Sequence, residues 1–112
     1  MANMTNRRIV GEQFQDHPAR ARIEQVFGDS AKVDFSTLGG PFDLAFIDGC
    51  HDHSYVKSDT ENVLSVMRSG GLVLWHDYAE MESVSRAVDE FQGRVDDPCA
   101  ISGTRIAMAR VR

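Results

Sequence analysis

Apolar residues are concentrated in two short runs, each followed by an amphipathic segment. The first run, Phe42–Ile47, favours a strand buried on both faces of a parallel sheet, and Leu72–Trp75 is a second run of this kind. Between them, apolar residues recur at helical spacing and predict a helix from Ser54 to Arg68, with the pair Gly70-Gly71 as its left-handed cap. The same spacing predicts a second helix over Ser83–Gln92.

The pattern before these elements is weaker. Residues 1–8 are polar and predict a flexible N-terminus, and residues 9–14 give a weak strand signal. A helical turn is expected over Pro18–Arg22, followed by a short strand over Ile23–Phe27 that Gly28 closes. The segment up to Pro41 is predicted to be a loop with one helical turn.

The C-terminal residues predict a hairpin. Two short β segments, Cys99–Ser102 and Arg105–Val111, flank the pair Gly103-Thr104. Strands that alternate with helices indicate an α/β fold with a mostly parallel sheet, closed here by the C-terminal antiparallel hairpin. Because 112 residues accommodate one domain, residues 9–112 are predicted to form a single α/β domain.

Composition and charge narrow the range of partners. The formal net charge is −5 and no basic face is evident, which argues against binding to nucleic acid or to an anionic membrane. No apolar run reaches the roughly 18 residues that span a bilayer. The two cysteines, Cys50 and Cys99, are not arranged as Cys-x-x-Cys, and we therefore expect free thiols in a reducing cytoplasm.

Polar residues follow each predicted strand. They are Asp29-Ser30 after the first, Asp48 with His51 after the second, and His76-Asp77 after the third. Because ligands of α/β sheets bind outside the carboxyl ends of the strands, these residues predict one polar rim.

Each of these residues also has a plain structural interpretation. Aspartate is common at turns and helix caps, but a site role for Asp48 is favoured because His51 and Asp77 should converge on it. His53 is an alternative to His51 as the inward-pointing imidazole. His76 is interpreted first as a residue that packs at a strand end, with a ligand role as the alternative. Asp59 is expected on the polar side of its helix, solvated or in a surface pair.

The segment FDLAFIDGCHDHSYVKSDTENVLSVMRSGGLVLWHDY resembles the second half of class I S-adenosylmethionine-dependent methyltransferases. Within that family it is most similar to a subgroup with Asp-Gly-x-His after the fourth strand and His-Asp after the fifth. The resemblance implies a truncated Rossmann-like methyltransferase fold, methyl transfer to a small-molecule hydroxyl, and S-adenosylmethionine as the cofactor.

The resemblance also implies roles for individual residues. Asp29 and Ser30 would meet the adenine of the cofactor, and Asp48 would lie near the reactive methyl group. In metal-dependent relatives the positions of Asp48 and Asp77 bind Mg²⁺, and a histidine at the position of His51 is the general base. A hard cation lowers the pKa of a hydroxyl, and an imidazole accepts its proton, so the residue types suit this chemistry.

One part of the family pattern is missing. The nine glycines nowhere form Gly-x-Gly, the loop that brings the backbone close to the cofactor. Without the front strands, one edge of Phe42–Ile47 lies open, and we expect the N-terminal segment or a second copy in a homodimer to pair with it.

Two other functions stay open. One is a catalytically silent α/β oligomerisation or binding module derived from a methyltransferase. The other is a metal-dependent hydrolase that uses Asp48, His51 and Asp77.

Overall fold

The structure, a computed structural model, describes residues 11–112. Its main elements are β1 (Phe42–Ile47), α1 (His53–Ser65), β2 (Met67–His76), α2 (Glu82–Asp89), β3 (Cys99–Ala100) and β4 (Ile106–Arg110). Single 3₁₀ turns cover Glu12–Phe14, Arg20–Arg22 and Phe35–Leu38. The predicted flexible residues 1–8 and the start of the weak strand at 9–14 lie outside the described residues.

The four strands form one sheet in the order β1-β2-β4-β3. β1 and β2 are parallel, whereas β4 runs antiparallel to both β2 and β3. The α/β class and the C-terminal hairpin are therefore confirmed. The sheet is mixed rather than mostly parallel, because the hairpin supplies two of its four strands, and it is open rather than closed.

The pair Gly70-Gly71 lies inside β2 rather than at a helix end. α1 already stops at Ser65, and the pairing of β1 with β2 changes register between Phe42 and Leu44. Gly70 has φ 84°, and a Cβ on Gly71 would come 3.1 Å from the Asp43 carbonyl oxygen. The predicted helix cap was wrong, since these glycines instead allow an irregular strand start and a close backbone approach.

One face of the sheet is covered by the two helices and forms the core. Its central strand residues Val73 and Trp75 are fully buried, as is Ala107 on β4. The Trp75 Nε1–H donates a 3.0 Å hydrogen bond to Oγ1 of Thr60 on α1, so the polar atom of the indole has a partner in the core. The helix residues that join this core are Val56, Leu64, Val84, Ala87 and Val88.

The opposite face of the sheet is open. Paired positions place Leu44 beside Leu72, Phe46 beside Leu74, and Leu74 beside Met108. Leu44 is 63% exposed and Phe46 is 54% exposed. The prediction that β1 is buried on both faces was wrong, because both helices pack on the other side.

Residues 11–41, the described part of the chain before β1, add no strand to the sheet. Ile23–Phe27, predicted to be one, has no regular structure, and Phe27 is 70% exposed. Among the described residues β1 pairs only with β2, so its outer edge carries unpaired backbone groups. Neither helix within residues 11–112 is long and apolar enough to cross a membrane.

Candidate functional site

Four polar side chains meet at the carboxyl ends of the parallel strands β1 and β2. Asp48 directly follows β1, His76 is the last residue of β2, and Asp77 comes next. His51 joins them from the loop before α1. One ligand-type atom from each of Asp48, His51, His76 and Asp77 lies within 4.8 Å of all the others. Of the residues predicted to form one polar rim, Asp48, His51, His76 and Asp77 therefore lie together, whereas Asp29 and Ser30 do not join them.

The Asp77 carboxylate is the centre of the cluster. Its Oδ2 lies 2.8 Å from His51 Nε2 and 2.8 Å from His76 Nδ1. The same His76 Nδ1 lies 3.4 Å from Asp48 Oδ1. The side chain of Asp77 is only 10% exposed, whereas that of Asp48 is 45% exposed, so the cluster has a buried side and a solvent side.

The backbone holds Asp77 in an uncommon conformation. Its φ is 63°, in the left-handed region that few residues other than glycine adopt. Its N–H donates to the Arg105 carbonyl at 2.7 Å, and its own carbonyl accepts from the Met81 N–H at 3.0 Å. These bonds, to the residue before β4 and to the N-cap of α2, hold the Asp77 backbone in this conformation. Local strain of this kind is frequent at functional sites.

The surroundings keep Asp77 ionised. The adjacent His76 imidazole holds the pKa of Asp77 below its ordinary value of 3.8, against the opposing effect of burial. Positive charge on His51 and Arg105 lowers this pKa further. A carboxylate that stays ionised suits cation binding or the orientation of an imidazole.

Contacts with α2 decide which histidine points into the cluster. The Ser83 hydroxyl donates to the His51 carbonyl at 2.7 Å and ties the His51 loop to the start of α2. His53 points elsewhere, with Nε2 3.2 Å from Glu90 Oε2. A cavity of about 10 Å³ borders Asp48, His51 and His76 and has room for little more than one water molecule or ion.

Asp29 and Ser30 lie outside the cluster, in a turn beside α1. Asp29 accepts the Ala31 N–H at 3.0 Å and the Tyr55 hydroxyl at 2.9 Å. The Ala31 amide and, after it, the Tyr55 hydroxyl lower the pKa of Asp29. The predicted adenine role of both residues stays a prediction, and Tyr55 is a neighbour that the sequence argument did not include.

The sequence interpretation of Asp59 was wrong. Asp59 is only 8% exposed, and its Oδ1 lacks a hydrogen-bond partner, whereas a solvated position was expected. The signal was present, because Asp59 lies three residues after the core residue Val56 and therefore on the same helix face. His76 packs edge-on against Phe46, as expected at a strand end, and its Nδ1 also points into the cluster.

Comparison with known proteins identifies the family to which the chain belongs. The profile of the methyltransferase domain family matches residues 3–78, more than half of the chain. The chain therefore belongs to this family, and the class I methyltransferase resemblance is confirmed. A search of curated proteins finds no match.

A solved structure with a similar fold is MycE methyltransferase from the mycinamycin biosynthetic pathway, in complex with Mg and SAH. The TM-score is 0.60 at 21% sequence identity, and the match covers 87% of this chain and 34% of that chain. The likeness supports the truncated Rossmann-like methyltransferase fold. This chain spans about a third of the length of that protein.

Proposed function

We propose that this chain carries the reaction rim of an S-adenosylmethionine-dependent methyltransferase that acts on a small-molecule hydroxyl with the help of a divalent cation. One observation carries the proposal, namely the convergence of Asp48, His51, His76 and Asp77 at the carboxyl ends of two parallel strands. The family match supports methyl transfer as the chemistry. The similar structure, a complex with Mg and SAH, supports the cation and the cofactor.

The residues at the rim fit a divalent cation. Asp48 and Asp77 are oxygen donors of the type that Mg²⁺ binds in proteins. The buried His76 Nδ1 has no hydrogen-bond partner, although it lies between these two carboxylates. Asp48, His76 and Asp77 would hold the cation, which would supply the means of lowering the pKa of an acceptor hydroxyl.

His51 is the proposed general base. Its side chain is 46% exposed, which leaves it accessible to an acceptor molecule, and its Nε2 lies 2.8 Å from Asp77 Oδ2. The Ser83 bond to its carbonyl holds the loop in place. A positioned imidazole is suited to accepting the proton of the acceptor hydroxyl.

The proposal for the cofactor covers only part of the cofactor molecule, because no Gly-x-Gly occurs in the 112 residues. It assigns to this chain the adenine side of the cofactor, at Asp29 and Ser30, and the methyl side, at Asp48. The Tyr55 hydroxyl bonded to Asp29 connects the adenine side to α1.

Isothermal titration with S-adenosylmethionine and S-adenosylhomocysteine, each with and without Mg²⁺, tests the proposal. We expect binding of both nucleotides and a loss of the Mg²⁺ effect in Asp48→Asn. The control is Asp97→Asn, an exposed aspartate in the turn before β3, which should behave as wild type. Mg²⁺ binding without nucleotide binding would favour the metal-dependent hydrolase, and the absence of both would favour the binding module.

A second candidate function, an oligomerisation module, is favoured by the unpaired outer edge of β1. We propose that a second copy of the chain pairs with this edge in antiparallel orientation. In a symmetric register centred on Leu44, the Leu44 side chains of the two copies face each other and Phe42 faces Phe46 of the partner subunit. Asp43 faces the partner subunit's Ala45, and Asp43 is already paired with Arg68, so this register brings no like charges together.

Size-exclusion chromatography with light scattering tests the pairing. Wild type should be a dimer, and Leu44→Lys should be a monomer because two ammonium groups would meet at the symmetry axis. Met108→Lys adds the same charge to the same face, but on β4 away from the edge, and should remain dimeric. A monomeric wild type, or loss of the dimer in both variants, would exclude edge pairing.

A further inference from the structure

We propose that His76 is a third protein ligand of the cation, so that the site prefers a first-row transition metal such as Mn²⁺, Fe²⁺, Co²⁺ or Zn²⁺ over Mg²⁺. The inference rests on the proposed cation site and adds its chemical selectivity. Mg²⁺, the ion in the complex of the similar structure, would then bind to this site more weakly than the transition metals.

The first argument is the unused lone pair of His76. Its Nδ1 is buried and has no hydrogen-bond partner. Asp77 Oδ2 is only 2.8 Å away, but the geometry of this contact is not that of a hydrogen bond. A buried nitrogen without a partner costs free energy. A cation between the nitrogen and the carboxylates would remove that cost.

The second argument is the spacing of the donor atoms. His76 Nδ1 lies 2.8 Å from Asp77 Oδ2 and 3.4 Å from Asp48 Oδ1. Neighbouring ligands on one small divalent cation, at bond lengths of about 2.0–2.2 Å, are separated by roughly 3.0–3.4 Å. Both distances from His76 Nδ1 are close to that spacing, and the ligand atoms of the whole cluster lie within 4.8 Å of one another.

The third argument is the donor type. Mg²⁺ strongly favours oxygen ligands and retains several waters, whereas imidazole nitrogen suits the later divalent metals. Two carboxylates alone would leave Mg²⁺ a reasonable occupant. An imidazole nitrogen between them shifts the preference toward a transition metal, while His51 remains available as the base.

The fold supports His76 in this role. It is the last residue of β2, where pairing with Ile106 of β4 holds its backbone, and the ring lies edge-on to Phe46 with centroids 6.2 Å apart. The imidazole is therefore placed before any cation binds. Placement of this kind favours ligation, because little side-chain freedom is lost on binding.

Calorimetric titration of the full chain with MgCl₂, MnCl₂, CoCl₂ and ZnCl₂, without nucleotide, tests the inference. Wild type should bind Mn²⁺, Co²⁺ and Zn²⁺ at least about tenfold more tightly than Mg²⁺. His76→Ala should lose at least about tenfold in affinity for the transition metals and change little for Mg²⁺. The cobalt absorption spectrum, which responds to nitrogen ligation, should change in His76→Ala as well.

His53→Ala is the matched control, since His53 contacts Glu90 instead of the cluster, and it should retain all four affinities. His76→Gln preserves the side-chain size if His76→Ala does not fold. Equal wild-type affinities for Mg²⁺ and Mn²⁺, an equal loss for all metals in His76→Ala, or no metal binding at all would overturn the inference. Transition-metal binding without any nucleotide binding would support it while excluding the proposed methyl transfer.

Discussion

The two faces of the sheet carry similar apolar side chains and differ in what covers them. On the covered face Val73, Trp75 and Ala107 are fully buried beneath α1 and α2. On the open face Leu44 and Phe46 keep more than half of their surface exposed. Apolar content in a strand therefore does not establish burial. Burial depends on whether a helix returns over that face, and here both helices return over the same one.

The polar rim lies at the carboxyl ends of β1 and β2, between the covered face and the open face of the sheet. His76 extends from the open side, since it shares its parity along β2 with Leu72 and Leu74. Asp77 is directed inward by its left-handed backbone and is buried. The cluster consequently has one wall formed by the core and one wall open to solvent, an arrangement suited to a site that admits small molecules.

The largest expected effect is a difference in the loss of stability between substitutions on the two faces of the sheet. Trp75→Ala removes the largest buried side chain and should reduce the free energy of unfolding by about 3–5 kcal/mol. Leu44→Ala, on the open face, should cost less than about 1 kcal/mol, because little contact is lost. Urea unfolding followed by circular dichroism measures both. Similar losses in the two variants would mean that the open face is covered in solution.

A smaller effect is expected from the hydrogen bond between Trp75 and Thr60, which lies beneath the covered face of the sheet. Thr60→Val keeps the side-chain shape and removes the acceptor of the Trp75 indole N–H. A buried donor without a partner should cost about 1–3 kcal/mol in the same unfolding experiment. Thr37→Val is the matched control on an exposed turn and should change the stability by no more than about 0.5 kcal/mol. A neutral Thr60→Val would indicate that the indole finds another acceptor.

The open face can be probed directly with a dye. Wild type should enhance the fluorescence of ANS, which binds exposed apolar surface. Phe46→Ser should lower that signal and change the free energy of unfolding by no more than about 1 kcal/mol. Lys57→Ser, an exposed change on α1, should retain the signal. Wild-type protein that does not bind the dye would contradict an open face.

The smallest effect concerns Tyr78, which packs against the covered core and donates to Asp89 at 2.8 Å. Burial, and then the Asp89 carboxylate, raises the pKa of Tyr78 from 10.0 to about 12. Because the folded pKa exceeds the unfolded one, this stabilisation is complete below pH 10 and is lost as the pH rises toward 12.

The sequence has two tyrosines, so Tyr55→Phe leaves Tyr78 as the one that titrates. Its ultraviolet absorbance should then change near pH 12 instead of pH 10. Tyr78→Phe should remove the corresponding loss of stability in alkali. A midpoint near 10 would mean that the Tyr78 hydroxyl is solvated.

The elements with strong local signals were predictable from the sequence. β1 has the predicted bounds, and both helices begin within one residue of their predicted starts. The end of α1 was not predictable, because Gly70-Gly71 suits a helix cap and a bulged strand equally well. The close approach of the Asp43 carbonyl to Gly71 decides between them, and it depends on the pairing of β1 with β2.

The candidate site was also predictable only in part, because some of its contacts depend on the packing of distant elements. The general rule on strand ends brought Asp48, His51 and Asp77 together before the sheet was known. It did not choose between His51 and His53, because the choice depends on the Ser83 contact from α2 and on Glu90. It placed His76 at the rim but did not show that His76 Nδ1 faces both carboxylates, since the direction of a residue at a strand end depends on the twist and pairing of that strand.

The sequence by itself determined the α/β class, the polar residues at the strand ends and membership of a methyltransferase family, since these depend on local periodicity and on motif spacing. Only the tertiary structure decided that the sheet is mixed, that one apolar face is open, and that His76 Nδ1 lies without a partner between two carboxylates. The physical reason is that strand pairing and helix placement bring together residues that are distant along the chain. Local sequence patterns do not encode those distances.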